Sequence, residues 1–416
     1  MFTKALRLYG AGDVRLEQFT LPEHGDDELL VRMVTDVMCM STYKAVKQGA
    51  AHKRVPNGVA HDPVIVGHEF CGEILSVGTK VKGGYKPGQK FTLQPAMKGT
   101  YDAAGYSFRH IGGNTQYAIV PACYLDQECL LIYEGESFFQ GSLTEPLSCV
   151  IGAAHASYHI EKGEYRHTMG IREGGKMAIL AGCGPMGLAL VDYILHCTRQ
   201  PELLVVTDVN GERVRRASEL LPETEAVKLG IKLIYMNTAE LPDPVKSLME
   251  LSGGMGYDDA FVFAPVSAVI EQADRLLALD GCLNFFAGPT DTGFSAPLNF
   301  YNVHYNATHL AATSGGNTED MREALALCAC GKLNPSILVS HIGGLDAAAN
   351  TVLHLPDVPG FKKLIYNGVS LPLTAIEDFR ETNDPLFIKL AEICDRHNGL
   401  WNAEAEAVLL ENAPPI

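Results

Sequence analysis

The chain of 416 residues is too long for a single hydrophobic core, so two domains are expected. Its residues are 47% hydrophobic and 20% charged, a composition that excludes an intrinsically disordered protein. The formal net charge of −16 repels nucleic acids and anionic membrane surfaces, which excludes polyanionic partners.

Two further features predict the cellular setting. No apolar run reaches the roughly 20 residues of a membrane span, and the N-terminus MFTKALRLYG lacks the ordered regions of a secretory signal. The 11 cysteines are odd in number and show no framework spacing, which is typical of reduced thiols. We therefore expect a cytoplasmic protein without membrane contact.

The first 150 residues show short apolar segments separated by glycine and proline, a pattern that predicts an irregular β-rich domain. The predicted strands are Ala5–Leu8, Glu28–Met38, Cys71–Val77, Lys90–Leu93 and Gln116–Val120.

Candidate metal ligands lie at the ends of apolar segments in this domain. Cys39 ends one, His68 and Glu69 follow the segment Pro63–Val66, and Glu145 opens the sequence E-P-L-S. Thiolate, imidazole and carboxylate groups suit Zn²⁺, and three protein ligands with one exchangeable position are typical of a catalytic site. The spacing alone fits equally well a hydrogen-bonded histidine at a strand end and an acid at a helix N-terminus.

From about residue 151 the predicted strands alternate with helices, which indicates a doubly wound parallel sheet and an α/β fold. The predicted strands are Met177–Ala181, Leu203–Asp208, Lys232–Met236, Asp258–Phe263 and Cys282–Ala287. A mixed segment and a helical extension, Asp384–Leu410, end the chain.

A dinucleotide-binding fingerprint follows the first of these strands. Gly182, Gly184 and Gly187 have G-x-G-x-x-G spacing, and a helical pattern begins at once. Such a turn brings backbone close to a pyrophosphate at a helix N-terminus, with Pro185 and Met186 completing the turn. The pattern alone also fits an ordinary tight turn between a strand and a helix.

An acid ends the next strand of the pattern. Asp208 lies 21 residues past Gly187, near the expected position of an acid that binds the ribose 2′-hydroxyl. An acid there favours NADH. The nearby basic residues Arg213, Arg215 and Arg216 either tolerate NADPH or form an ordinary charged helix face.

The segment Gly67–Val81, GHEFCGEILSVGTKV, resembles the zinc-containing alcohol dehydrogenase signature. With the following G-x-G-x-x-G domain, nearly the whole chain resembles the medium-chain dehydrogenase/reductase family. The resemblance implies a GroES-like catalytic domain over residues 1–150 and a Rossmann NAD(P)-binding domain over 151–310. Residues 311–416 would return to the catalytic domain and add a helical C-terminal extension. It also implies a homo-oligomer, either a dimer or a tetramer.

The resemblance assigns site residues one by one. Cys39, His68 and Glu69 match the family's zinc positions, and Glu145 matches an acid that lies at or near the metal in polyol dehydrogenases, sometimes through water. Ser41 matches the hydroxyl that passes a proton to or from the substrate oxygen. Near the ribose, Arg213 matches a basic family position.

The chain also departs from the family pattern. Its segment Gln94–Gly113 holds none of the four cysteines of the structural zinc lobe, which predicts a single zinc. Thr42 replaces a carboxylate that orients the zinc histidine, so some other group must do this or the zinc is held less firmly. Lys44 replaces a relay histidine and would contact a phosphate or ribose, or be solvated.

The segment Lys44–Arg54 is basic within an acidic chain. Lys53 and Arg54 are candidate ligands of a substrate phosphate, although an ordinary solvated loop has the same composition. The whole pattern predicts hydride transfer from NADH or NADPH to a ketose phosphate, which the resemblance narrows to L-sorbose 1-phosphate and its product D-glucitol 6-phosphate. The alternatives are a polyol or alcohol dehydrogenase acting on an uncharged substrate and a non-catalytic nucleotide-binding redox sensor.

Overall fold

The computed structural model describes residues 1–161 and 163–416. The chain forms two compact units. The first comprises residues 1–145, 321–329 and 335–416, and the second comprises residues 146–320 and 330–334.

The first unit is built on β-sheets. In its described residues the larger sheet has eight strands, of which seven follow one another across the sheet and Tyr117–Val120 pairs beside Leu29–Met38. The seven are, in spatial order, Thr374–Ala375, Val339–Gly344, Lys362–Tyr366, Leu29–Met38, Phe70–Val77, Lys90–Leu93 and Leu130–Tyr133. A smaller sheet has the order Asp13–Thr20, Phe2–Gly10 and Val64–Ile65. The expected β-rich domain is therefore present.

Helices of this unit lie between and after these strands. They are Met40–Gln48, Ala122–Asp126, Phe138–Ser142, Ala348–Leu353, Pro385–Arg396 and Ala403–Asn412. Two further helices, Thr144–Ala156 and Thr318–Ala329, contain residues of both units. The predicted C-terminal helical extension thus consists of two helices rather than one, because Asn398-Gly-Leu interrupts it and Asn402 caps the second helix with its side chain.

The second unit contains a six-stranded parallel sheet. In spatial order its strands are Lys232–Asn237, Leu203–Asp208, Lys176–Leu180, Tyr257–Val262, Leu277–Phe285 and His309–Ala311. With the strands numbered by sequence this is the order 3-2-1-4-5-6 of a Rossmann fold. Every residue of Leu203–Asp208 is buried, as expected for a parallel strand covered on both faces.

Helices separate the strands of this sheet. They are Pro185–His196, Gly211–Leu220, Glu223–Lys228, Pro244–Leu251, Ser267–Leu276 and Phe300–Tyr305. A short hairpin, Tyr158–Ile160 with His167–Met169, precedes the first strand. None of the helices in the described part of the chain is both long and apolar enough to cross a lipid bilayer. The predicted α/β fold, with a β-rich part and a Rossmann-like parallel sheet, is confirmed.

Candidate metal and cofactor sites

Three of the predicted metal ligands lie together in the first unit. One ligand atom from each of Cys39, His68 and Glu69 lies within 4.8 Å of the others. Antiparallel pairing of Leu29–Met38 with Phe70–Val77 brings the end of one strand to the start of the other, and the Val37 amide donates to the Glu69 carbonyl at 2.9 Å. Residues 29 positions apart in the chain therefore meet.

The donor set fits a zinc ion. A tetrahedral Zn²⁺ with bonds of roughly 2.0–2.3 Å spaces its ligand atoms by roughly 3.3–3.8 Å, and the three atoms here lie within 4.8 Å of one another. Sulfur, imidazole nitrogen and carboxylate oxygen are all ligands that zinc accepts.

Thr42 orients the buried His68 ring. The Thr42 Oγ1 lies 3.1 Å from His68 Nδ1, so an Nδ1–H donated to this hydroxyl leaves the Nε2 lone pair for a metal. Burial lowers the pKa of His68, which favours the neutral imidazole that metals bind. The hydroxyl that replaces the family's carboxylate therefore makes the orienting contact itself.

Glu69 forms a buried ion pair that the sequence did not predict. Lys362 Nζ donates to both Glu69 oxygens, at 2.6 and 2.7 Å. Burial raises the pKa of the Glu69 carboxyl and the Cys39 thiol adds to this, while the Lys362 ammonium lowers it. Each carboxylate oxygen has two lone pairs, so Glu69 retains capacity for a metal. Lys362 carried no sequence signal because it lies 293 residues further along the chain.

Glu145 lies close by but outside the three-atom cluster. It is in the first turn of the helix Thr144–Ala156, and its side chain is buried. Burial raises its pKa to about 7, opposed by the nearby charge of His68. This position agrees with an acid near a metal rather than in the compact ligand set.

Two residues of the following helix face the cluster. The Ser41 Oγ lies 3.4 Å from the Cys39 Sγ. Half-burial lowers the pKa of Lys44, and the Cys39 thiol opposes this shift. The candidate proton-transfer hydroxyl of Ser41 and the lysine that replaces the relay histidine therefore both lie beside Cys39.

The two adjacent basic residues Lys53 and Arg54 lie in different environments. The Arg54 guanidinium carbon lies 5.3 Å from the centre of the Tyr106 ring, and its charge lowers the pKa of both His68 and Glu145. Lys53 is exposed, with its Nζ 5.9 Å from the centre of the exposed Tyr101 ring. Of the two phosphate candidates, Arg54 is therefore the one beside the metal cluster.

Tyr106 is a second residue that sequence reasoning missed. It is buried, and its hydroxyl lies 3.3 Å from His68 Nε2. It belongs to Gln94–Gly113, the segment noted for its lack of cysteines. The cluster of aromatic residues in that segment was the available signal.

The glycine turn in the second unit has the form of a phosphate cradle. A Cβ added at Gly187 would lie 2.1 Å from the Gly182 carbonyl oxygen, whereas one at Gly184 meets no atom within 4 Å. Gly187 thus allows close packing of helix on strand, and Gly184 leaves open space for a ligand. Pro185 begins the helix, and Met186 lies in its first turn. The residues present therefore fit a dinucleotide.

Two charged side chains lie near this turn. Asp208 is buried at the end of its strand, and Arg213 is exposed in the next helix. Burial raises the pKa of the Cys183 thiol to about 12, with the Asp208 carboxylate adding to the shift and Arg213 opposing it. Both side chains therefore lie within electrostatic reach of the glycine turn.

Comparison with known proteins places this chain among oxidoreductases. Residues 25–127 match the alcohol dehydrogenase GroES-like domain. The chain is 50% identical to an L-sorbose 1-phosphate reductase of Klebsiella pneumoniae, over 100% of this chain and 98% of that protein. It is 49% identical to a mannitol-1-phosphate 5-dehydrogenase of Aliivibrio fischeri, over 98% of this chain and 97% of that protein.

A solved structure shows the same fold. The 2R,3R-butanediol dehydrogenase of Bacillus subtilis aligns with a TM-score of 0.71 over 88% of this chain and 99% of that one, at 22% identity. Fold and site together define a GroES-like dehydrogenase with a Rossmann unit. The chain belongs to the zinc-dependent medium-chain dehydrogenase/reductase family and is an oxidoreductase.

Proposed function

We propose that this enzyme transfers a hydride from NADH or NADPH to the carbonyl carbon of L-sorbose 1-phosphate, forming D-glucitol 6-phosphate. The hydride and one proton convert the ketone to a secondary alcohol, while the reduced nicotinamide becomes oxidised. The observation that carries the proposal is the cluster of Cys39, His68 and Glu69 with the Arg54 guanidinium beside it.

The metal-binding residues have separate roles. Cys39, His68 and Glu69 would hold one Zn²⁺, with Glu145 at or near it, directly or through water. A bound zinc ion supplies Lewis-acid polarisation of a carbonyl oxygen. Glu69 would bind the metal ion while the Lys362 ammonium balances the negative charge of the Glu69 carboxylate.

Ser41 would transfer the proton, and Lys44 would contact a ligand oxygen. The Ser41 hydroxyl can donate a proton to the oxygen of the reduced carbon and accept one in the reverse direction. Lys44 lies three residues further along the same helix, half-buried, and can contact a ribose or phosphate oxygen.

The glycine turn would bind the cofactor. The open space at Gly184 would take the pyrophosphate, with Pro185 and Met186 at the helix N-terminus, while Gly182 and Gly187 shape the turn. Asp208 would accept a hydrogen bond from the ribose 2′-hydroxyl, which favours NADH, whereas the Arg213 charge would lower the cost of the NADPH phosphate.

Two observations support a phosphorylated substrate. The two relatives, each about 50% identical to this chain over nearly its whole length, are named for a phosphorylated ketose and a phosphorylated hexitol. Arg54 adds a cationic group beside the reacting end of the site. The family resemblance also supports a homo-oligomer.

The deciding assay follows NADH absorbance with L-sorbose 1-phosphate, D-fructose 6-phosphate and the same sugars without phosphate. We expect kcat/KM to be at least 100-fold higher for L-sorbose 1-phosphate than for L-sorbose, since charge-assisted hydrogen bonds to a phosphate contribute roughly 1.5–3 kcal/mol each. Equal values for both forms would instead favour an uncharged polyol substrate. Absence of turnover with every sugar would favour a nucleotide-binding sensor.

The double variant Lys53→Ala, Arg54→Ala tests the phosphate contact. We expect KM to rise roughly 10- to 100-fold for the phosphorylated ketose and less than 3-fold for the free sugar. Single variants separate the two residues, and Arg54→Ala should account for most of the effect because Lys53 is exposed beside Tyr101. Equal losses on both substrates would contradict the phosphate assignment.

The variant Cys39→Ala tests the metal. We expect loss of turnover and of bound zinc by elemental analysis, with NADH affinity within 3-fold of wild type, because the glycine turn belongs to the other compact unit. Full activity in this variant, or in chelator-treated protein shown to be free of metal, would refute the Lewis-acid role.

A further inference from the structure

Tyr106 contacts two groups of functional residues with one aromatic ring. Its ring centre lies 4.9 Å from that of His68, and its hydroxyl lies 3.3 Å from His68 Nε2. The His52 ring also stacks on it at 5.7 Å and 10°, and the Arg54 guanidinium carbon lies 5.3 Å from its centre. One rigid ring therefore contacts both a candidate metal ligand and the basic residues.

Backbone packing determines where this ring lies. Gly105 has φ +80°, and a Cβ there would lie 2.0 Å from the Gly67 carbonyl oxygen and 3.1 Å from the His68 Cβ. Only glycine allows the two backbones to approach so closely. The backbone of the next residue, Tyr106, is thereby held close to His68.

The basic loop is attached to the same segment. Ser107 Oγ donates to the Arg54 carbonyl at 2.7 Å, and the Arg54 amide donates to His52 Nδ1 at 3.3 Å. Among the described residues, the buried Arg54 Nε–H has no hydrogen-bond partner, and no carboxylate lies within ion-pair distance of the guanidinium. This charge is available to an anionic group of a ligand.

From these contacts we infer that Tyr106 is a specificity-determining residue, which sets the separation between the carbonyl being reduced and the phosphate bound at Arg54. The inference rests on the proposed function. A rigid ring in contact with both binding groups makes one carbonyl-to-phosphate spacing fit better than another. Tyr106 acts through His68 and Arg54, so it is a positioning residue and takes no part in bond making.

Two substrates differ in this spacing. In L-sorbose 1-phosphate the phosphorylated carbon is next to the carbonyl carbon, whereas in D-fructose 6-phosphate three carbons lie between the carbonyl carbon and the phosphorylated one. The ratio of kcat/KM for these two ketoses measures the spacing preference directly. A loss of stability or of zinc lowers both values and leaves their ratio unchanged.

The test compares three variants of Tyr106. Tyr106→Phe keeps the ring, and we expect the ratio to stay within 3-fold of wild type. Tyr106→Leu removes the flat ring but keeps much of the bulk, and we expect the ratio to move at least 10-fold toward 1. Tyr106→Ala should do the same, but it removes a buried aromatic side chain and requires a check of folding by thermal melting.

Tyr101 offers a matched control from the same segment. It is exposed and lies beside Lys53 instead of Arg54. Tyr101→Leu should change the ratio less than 2-fold.

A binding measurement independent of turnover completes the test. Calorimetric titration with inorganic phosphate should show roughly 10-fold weaker binding in Tyr106→Leu, because the guanidinium loses the ring that holds it, and unchanged binding in Tyr106→Phe. Zinc content should remain the same in both.

The outcomes separate the two proposals. A wild-type enzyme without preference for phosphorylated ketoses overturns the proposed function. A wild-type preference with an unchanged ratio in Tyr106→Leu overturns the role of Tyr106 alone.

Discussion

Glu406 connects the C-terminal helix to the segment that precedes Glu145. Its buried carboxylate accepts hydrogen bonds from the Phe138 and Phe139 amides at 2.5 and 2.9 Å, and from the Tyr366 hydroxyl at 2.8 Å. These amides open the helix Phe138–Ser142, whose own N-cap residue makes no side-chain cap. Glu406 therefore caps this helix from 267 residues away, and its removal should destabilise the unit.

The expected magnitude follows from these three bonds. Hydrogen bonds to a charged group contribute roughly 1.5–3 kcal/mol each, and loss of an N-cap costs about 0.5–2 kcal/mol. Burial raises the pKa of Glu406, so desolvation offsets part of the gain. We expect Glu406→Ala to lower the free energy of unfolding by about 2–4 kcal/mol. Glu406→Gln keeps the shape and one acceptor, so about half that loss is expected.

The single tryptophan of the chain reports on this contact directly. Trp401 is buried, and its Nε1–H donates to the Tyr366 hydroxyl at 2.8 Å. Urea unfolding followed by tryptophan fluorescence therefore measures the unit that contains Glu406. Glu411→Ala, an exposed change on the same helix, is the control and should stay within about 0.5 kcal/mol of wild type. A Glu406→Ala midpoint equal to that of the control would refute the reasoning.

Two further predictions concern pH and the glycine turn. Burial lowers the pKa of His341 to about 4, and the Lys363 charge adds to this, so the unfolded chain binds a proton that the folded chain does not. This stabilisation is present above pH 6.5, and roughly 1–3 kcal/mol of it is lost as the pH falls toward 4. In the His341→Gln variant the urea midpoint of unfolding should therefore change less between pH 7 and 4.5 than in the wild type. Gly187→Ala should lower both the melting temperature and NADH affinity, because its Cβ would lie 2.1 Å from the Gly182 carbonyl oxygen. In contrast, Gly184→Ala should weaken NADH binding in a fluorescence titration while the melting temperature stays within 2 °C, since its Cβ meets no protein atom; an equal loss of melting temperature in both variants would contradict this.

Adjacent residues in the basic segment show where sequence reasoning reached its limit. Lys53 and Arg54 were predicted together as phosphate ligands, yet one lies by an exposed tyrosine and the other beside the candidate metal cluster. Short loops lack the periodicity that indicates side-chain direction in helices and strands. Their orientation depends on the partners that the fold supplies, here Tyr106 and Ser107.

The sequence by itself determined what depends on local pattern. Alternating strand and helix periodicity predicted the parallel sheet, and glycine spacing predicted the turn before the helix at Pro185, because both are set by residues close together in the chain. Lys362 at Glu69, Tyr106 at His68 and Glu406 at Phe138 became visible only in the folded chain. The members of these pairs are 38 to 293 residues apart in the chain. Strand pairing and backbone packing bring them together, and no pattern of neighbouring residues indicates such contacts.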